Sequence, residues 1–202
     1  MENNTPSKPK QLMPMWLAVA ITVVVAIPFG AWLGAYSLPL FVSFSVWGLY
    51  FVFGAKPAGL KILIPSYAAG GFGGMLVQML AEALIRAFGD GSPAETWPQA
   101  FFDGVWGKPD VGLVIAYFVG FCVVVGVIEL APLFQQGTLA YYSGIALTLG
   151  CIFIGLGGSF IGNSPNLYVS AFGGWIISVL AMLLGSFLGW LSVTLNGVKD
   201  GG

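Results

Sequence analysis

Apolar stretches long enough to cross a bilayer fill almost the whole of this 202-residue chain. A helix needs about 20 mostly apolar residues to cross a hydrocarbon core of roughly 30 Å. Hydrophobic residues make up 57% of the chain and charged residues 7%, so little length remains for a soluble domain. The sequence therefore predicts an all-α fold: a polytopic transmembrane helical bundle of about six crossings.

One transmembrane domain is expected at 13–196, between a polar cytoplasmic tail at 1–12 and a second cytoplasmic tail at 197–202. Its predicted spans run from Met13 to Tyr36, Leu38 to Phe53, Leu60 to Phe88, Val111 to Leu130, Leu139 to Ile161 and Leu167 to Leu195. The first run is long and leads into more apolar sequence, which favours a retained anchor over a cleaved signal peptide. The second span is short, so five crossings with a re-entrant segment remain an alternative.

Basic residues favour a topology with both termini in the cytoplasm. With six crossings, the inside segments hold five of the seven basic residues: Lys8, Lys10, Lys56, Lys61 and Lys199. Arg86 and Lys108 lie on the outer side. This split agrees with the positive-inside rule, so both termini are expected in the cytoplasm.

The outer loop at 89–110 is the longest predicted connection. Ser92 and Glu95 have the spacing of a capping box, and Pro93 suits the first helical position. Trp97 and Trp106 follow, which indicates a short amphipathic helix at the outer interface. This helix would be a membrane-surface anchor, or else a lid over a pore mouth or an oligomer contact.

Glycine is abundant, with 30 residues, and recurs at a spacing that favours close helix packing. Glycines four apart lie on one helix face and let a second backbone approach, which replaces the hydrophobic effect as the attraction between helices in lipid. Four such pairs occur: Gly30 and Gly34, Gly70 and Gly74, Gly158 and Gly162, and Gly185 and Gly189. They predict a tight bundle, and they would also suit contacts within a homo-oligomer or a larger membrane complex.

A weak similarity links the two halves of the chain. Six residues recur 115 positions later with the same residue type: Gly59, Ile62, Gly70, Phe72, Gly74 and Leu76. Three crossings per half would make this a 3+3 inverted repeat, a recurring plan of channels and secondary transporters. Similar glycine-rich composition in the two halves is the alternative explanation.

Two segments resemble an uncharacterised family of small bacterial inner-membrane proteins, the YcdZ-like domain of unknown function. Trp47-Gly48, Phe53-Gly54 and Gly59-Leu60-Lys61 resemble its first half. Gly158-Ser159-Phe160-Ile161-Gly162, followed by Trp175, is similar to its second half. The resemblance implies a bacterial inner-membrane location and transfers no catalytic or binding residue.

The residues that carry most enzyme and metal chemistry are scarce. The chain has no His, the commonest general base and metal ligand, and two cysteines that suit packing in apolar runs. A net charge of −1 offers no basic surface for nucleic acid. We therefore expect no enzyme activity, no metal and no cofactor, and a lipid bilayer as the main partner.

Uncharged polar side chains within the spans are the candidate functional residues. The predicted pore lining is Ser66, Tyr67, Gln78, Ser178 and Ser186. Glu82 and Arg86, one turn apart near the outer end of the third span, are predicted at the outer mouth, where water would reach them. A structural ion pair at the end of the helix is the alternative explanation. The leading function is a channel or facilitator for a small, neutral solute. The alternative is a non-catalytic accessory subunit of a larger membrane complex.

Overall fold

The computed structural model describes residues 11–88, 111–162 and 166–197, and the regular structure within these ranges is helical. Its helices are α1 (Met15–Ala31), α2 (Leu40–Val52), α3 (Pro57–Phe88), α4 (Val111–Leu130), α5 (Pro132–Gln136), α6 (Thr138–Phe153), α7 (Leu156–Phe160) and α8 (Leu167–Asn196). A single 3-10 turn at Gly34–Tyr36 joins α1 to α2. The predicted all-α class is confirmed for the described residues. The outer loop at 89–110 and nearly all of both predicted tails lie outside them.

Within the described ranges, three helical segments are long and apolar enough to span a membrane: Gly34–Val52, Pro57–Leu84 and Leu167–Asn196. Large apolar side chains also face outward along the helices, as with Val24, which is 64% exposed, and Phe118, which is 70% exposed. Apolar surface of this extent is stable against lipid and not against water. Length, composition and surface together indicate a membrane protein.

Two predicted spans end or break at glycines with left-handed backbone. The first span, expected to reach Tyr36, ends as a helix at Ala31, and Gly34 has a φ of +58°. The fifth, expected from Leu139 to Ile161, is divided into α6 and α7 at Gly155, where φ is +76°. Residues with a side chain rarely adopt this conformation, so a glycine permits the break.

The two longest helices, α3 and α8, lie at the centre and run antiparallel. Tyr67 of α3 contacts Ser178 of α8, and farther along α3 the carbonyl of Ala68 accepts from Trp175, which precedes Ser178. On its other sides α3 packs against α6 and α4, while α8 packs against α2 and α1. The helix α8 also contacts α6 and α7, so both central helices are largely surrounded by protein.

Glycines remove the side chains where α3 meets α6 and where α8 meets α2. A Cβ atom added at Gly70 would overlap the carbonyl oxygen of Tyr141, and one at Gly185 would overlap that of Ser43. One turn farther along each helix, Gly74 lies against Ile145 and Gly189 against the ring of Tyr50. These four predicted packing glycines lie at the two interfaces.

The other two glycine pairs do not form the expected packing faces, because one member of each lies outside the α-helices. Gly34 belongs to the 3-10 turn, and Gly162, with a φ of +83°, lies in the turn after α7. Within α7, Gly157 makes a close contact with α8. A Cβ added at Gly157 would overlap the Ser170 carbonyl and Gly174 of α8.

Gly70→Ala should destabilise the bundle, since the new methyl group meets the fixed backbone of Tyr141. We expect the free energy of unfolding to fall by about 1–3 kcal/mol, as is typical of overpacking. Gly48→Ala is the matched control: Gly48 is a helical, exposed glycine of α2 with open space around it. It should raise stability by up to about 1 kcal/mol.

Thermal unfolding in detergent micelles measures both effects. Equal transition temperatures for the two variants would contradict backbone contact at Gly70.

Candidate functional site

Three hydroxyl groups from three helices meet in the interior and form what we term the central hydroxyl cluster: Tyr67, Thr148 and Ser178. The Tyr67 hydroxyl lies 2.8 Å from Ser178 Oγ, and Thr148 Oγ1 donates to the same Ser178 oxygen at 3.1 Å. All three residues are fully buried. Ser178 of α8 thus links α3 to α6, and without its hydroxyl Tyr67 and Thr148 would no longer be connected by hydrogen bonds.

Neighbouring residues fix the geometry of the cluster. Gly71 allows α3 to approach Thr148, because a Cβ added there would lie 2.5 Å from Thr148 Oγ1. The Trp175 indole N–H donates to the Ala68 carbonyl at 3.1 Å, one turn from Ser178 along α8. This bond and the glycine set the distance and the register between the helices that carry the hydroxyls.

Hydroxyl groups both donate and accept hydrogen bonds, so the cluster can exchange its internal bonds for bonds to a small polar molecule. It carries no charge that would hold an ion. Within the described residues, no group of three or more His, Cys, Asp and Glu side chains could bind a metal. The cluster is therefore an uncharged group of hydrogen-bond donors and acceptors.

Gln78, a second predicted lining residue, faces α4 instead of the cluster. The Tyr117 hydroxyl donates to Gln78 Oε1, and Gln78 is 2% exposed. Val77 lies beside Gly120 in the same interface. The amide of Gln78 thus has a partner in the interface between α3 and α4.

The other two predicted lining residues lie apart from Tyr67 and Ser178. Ser66 Oγ is buried without a hydrogen-bond partner, next to Gly137 at the start of α6. Ser186 donates to the Met182 sulfur at 3.9 Å, a weak acceptor. The five candidates therefore occupy separate contacts, with Tyr67 and Ser178 alone sharing one.

Glu82 does not have the water contact expected at an outer mouth. It is 1% exposed and lies one turn beyond Gln78, on the same side of α3. The side chain of its predicted partner Arg86 lies outside what the structure describes. A carboxyl group enclosed by protein in a mostly apolar helix is expected to need compensating contacts.

Sequence patterns did not select Thr148 and Tyr117, which complete the two polar contacts. Thr148 shares an apolar span with Tyr141, Tyr142 and Ser143, and its hydroxyl could bond a preceding carbonyl of its own helix. Tyr117 follows no spacing that points to Gln78, 39 residues earlier. The only sequence signal for these two residues is that each is polar within an apolar run. That signal identifies the residue but does not identify its partner.

Comparison with known proteins gives no match to a family model, to a curated protein or to a solved structure. The resemblance to the YcdZ-like family therefore stays a prediction, and the function is argued from the residues above.

Tyr117→Phe should destabilise the protein, because it leaves the buried Gln78 Oε1 without its donor. We expect the free energy of unfolding to fall by about 1–3 kcal/mol. Adding Gln78→Met, which removes the amide and keeps a similar volume, should recover part of that loss. A double-mutant cycle of thermal or denaturant unfolding in micelles measures the coupling. Strictly additive effects would show that the two side chains do not interact.

Proposed function

We propose that this protein is a channel or facilitator for a small, neutral solute, with six crossings of a bacterial inner membrane and both termini in the cytoplasm. The observation that carries the proposal is the central hydroxyl cluster, a buried and uncharged hydrogen-bonding site at the contact of the two central helices. Polar groups at this depth of a membrane protein are costly, and they frequently mark a solute path.

Reciprocal contacts support a 3+3 inverted repeat. Gly70 lies against Tyr141, and Gly185 lies against Ser43. The glycines differ by 115 positions, and Ser43 and Tyr141 differ by 98. In each half, a glycine on the third helix therefore packs against a backbone carbonyl on the second helix of the other half.

A second pair of contacts follows the same shifts. Val77 lies against Gly120, and Ser192 donates to Thr22 at 3.1 Å. Val77 and Ser192 differ by 115 positions, while Thr22 and Gly120 differ by 98. Here the third helix of each half contacts the first helix of the other half. Composition alone would not make two kinds of contact reciprocal.

The antiparallel pair α3 and α8 makes the two halves inverted relative to each other. Folds of this kind have their substrate path near the interface between repeats, which here is the contact of Tyr67 with Ser178. In this conformation the hydroxyls bond to one another, so a solute would pass by exchanging those bonds. Selectivity would then follow from the pore diameter and from the hydrogen-bonding groups of the solute.

Stopped-flow solute uptake by proteoliposomes tests the proposal, with water, urea, acetamide and glycerol compared against protein-free vesicles. Wild-type protein should accelerate at least one solute. Ser178→Ala should change that rate severalfold, because Ser178 holds both other hydroxyls of the cluster. Ser45→Ala is the matched control, since Ser45 is exposed on α2 and bonds to the Phe41 carbonyl of its own helix.

No acceleration by correctly inserted wild-type protein would contradict transport of these solutes. Equal rates in Ser178→Ala and wild type would move the path away from the central helices.

A second candidate function, an accessory subunit in a larger complex, draws on a surface feature of α4. An open groove of about 360 Å³ runs along this helix and is lined by Tyr117, Phe118, Phe121, Cys122 and Val125. Its apolar lining suits a transmembrane helix of another subunit. A homo-oligomeric channel would use the same surface, so the two functions differ in which protein occupies it.

Cys122 reports whether a second copy lies on this groove. Cys122 is exposed and Cys151 is buried. If two copies meet there, copper-phenanthroline oxidation in membranes should give a disulfide-linked dimer, visible on non-reducing gels. The dimer should survive in Cys151→Ala and disappear in Cys122→Ser. If only monomer forms in every sample, the Cys122 thiols of two copies do not lie close together at this groove.

A further inference from the structure

Two hydrogen-bond donors on α2 are buried without a partner. Trp47 Nε1 and the Tyr50 hydroxyl contact neither solvent nor an acceptor in the protein. Trp47 is 8% exposed and Tyr50 is 1% exposed. Buried polar groups are nearly always paired, so an unpaired one needs an explanation.

The two donors belong to one surface of the bundle. They are three residues apart on α2, which places them on the same helix face. The Trp47 ring shares a buried cluster with Leu184 and Leu188, and the Tyr50 ring lies over Gly189. Both rings therefore pack on one short stretch of α8, and that stretch contains Ser186 of the predicted lining.

Other polar side chains in this part of the bundle do find partners. Ser43, also on α2, donates across the interface to the Ala181 carbonyl of α8 at 2.9 Å. Ser192 Oγ lies 2.8 Å from the Leu188 carbonyl oxygen and 3.1 Å from Thr22 Oγ1. Acceptors thus exist in this part of the bundle, but the two ring donors do not bond to them, and phenylalanine at position 50 would fill the same space without an unpaired donor.

The chemistry of the two donors selects the class of ligand. An indole N–H donates and does not accept, and a phenol hydroxyl can donate as well. The buried polar side chains of α1 and α8, the helices that pack against α2 or beside it, include Thr22, Ser186, Ser192 and Asn196, and all of them are uncharged. An ion would lack a counter-charge in this setting, whereas a neutral carbonyl oxygen can accept two hydrogen bonds.

We propose that Trp47 and Tyr50 form a binding site for the carbonyl oxygen of a small neutral solute of the amide type. The inference rests on the proposed transport function and names its substrate class. Because both donor atoms are covered here, the site is occluded in this conformation, and α2 must move relative to α8 for the solute to enter.

The first test is uptake of acetamide and of ethylene glycol, which has hydroxyl groups and no carbonyl, into proteoliposomes of the full chain. Trp47→Phe and Tyr50→Phe each remove a donor and keep a ring. We expect each to lower the acetamide-to-ethylene-glycol rate ratio by about threefold to tenfold. Ser45→Ala should keep the wild-type ratio. A wild-type ratio in the double variant overturns the site, and no uptake by the wild type overturns the proposed function itself.

Two further measurements separate this site from other roles of the same donors. Ester carbonyls of lipids offer the same acceptor, so uptake is repeated in ether-linked phosphatidylcholine. If the difference between variant and wild type vanishes there, the donors bind lipid and the solute site is wrong. Thermal unfolding of Tyr50→Phe, which removes only the hydroxyl, should match or exceed the wild-type transition temperature. A clear decrease would mean that this hydroxyl is bonded within the protein, which also overturns the site.

Discussion

Contact between helix backbones, made where glycine leaves out a side chain, determines the arrangement of this bundle. Gly70 brings α3 onto the backbone of Tyr141, and Gly185 brings α8 onto that of Ser43. Lipid offers apolar side chains the same environment as another helix does, so burial contributes little to association in a membrane. Dispersion contacts at short range must supply the attraction, and they require surfaces without projecting atoms. The position of every polar group in the interior depends on these contacts.

The low dielectric of the membrane interior also makes each buried hydrogen bond stronger than it would be in water. Tyr67, Thr148 and Ser178 bond to one another, and Gln78 accepts from Tyr117, so these residues are stable at low dielectric. Trp47, Tyr50 and Ser66 differ, because each has a buried polar atom without a partner in the protein. The bundle thus contains polar contacts that are satisfied from within and polar groups that are not.

The sequence predicts the long helices well and their interruptions poorly, as two glycine-rich segments demonstrate. Gly70, Gly71, Gly73 and Gly74 remain within the continuous helix α3, whereas Gly155 breaks the predicted fifth span into α6 and α7. Both segments are apolar and rich in glycine, so local propensity does not distinguish them. The difference lies in the surroundings: the α3 glycines face neighbouring helices that hold the backbone helical, while Gly155 has open space around it.

The sequence by itself determined that lipid surrounds the protein, that its helices can pack closely and that its interior carries few charges. These properties follow from residue types and from spacing along a helix, which are local. The tertiary structure decided which polar groups meet. Ser66 and Tyr67 are adjacent in the chain, yet one lies beside Gly137 without a partner and the other reaches Ser178, 111 residues away. Successive residues of a helix point about 100° apart, so adjacent side chains face different neighbours, and helix packing alone determines those neighbours.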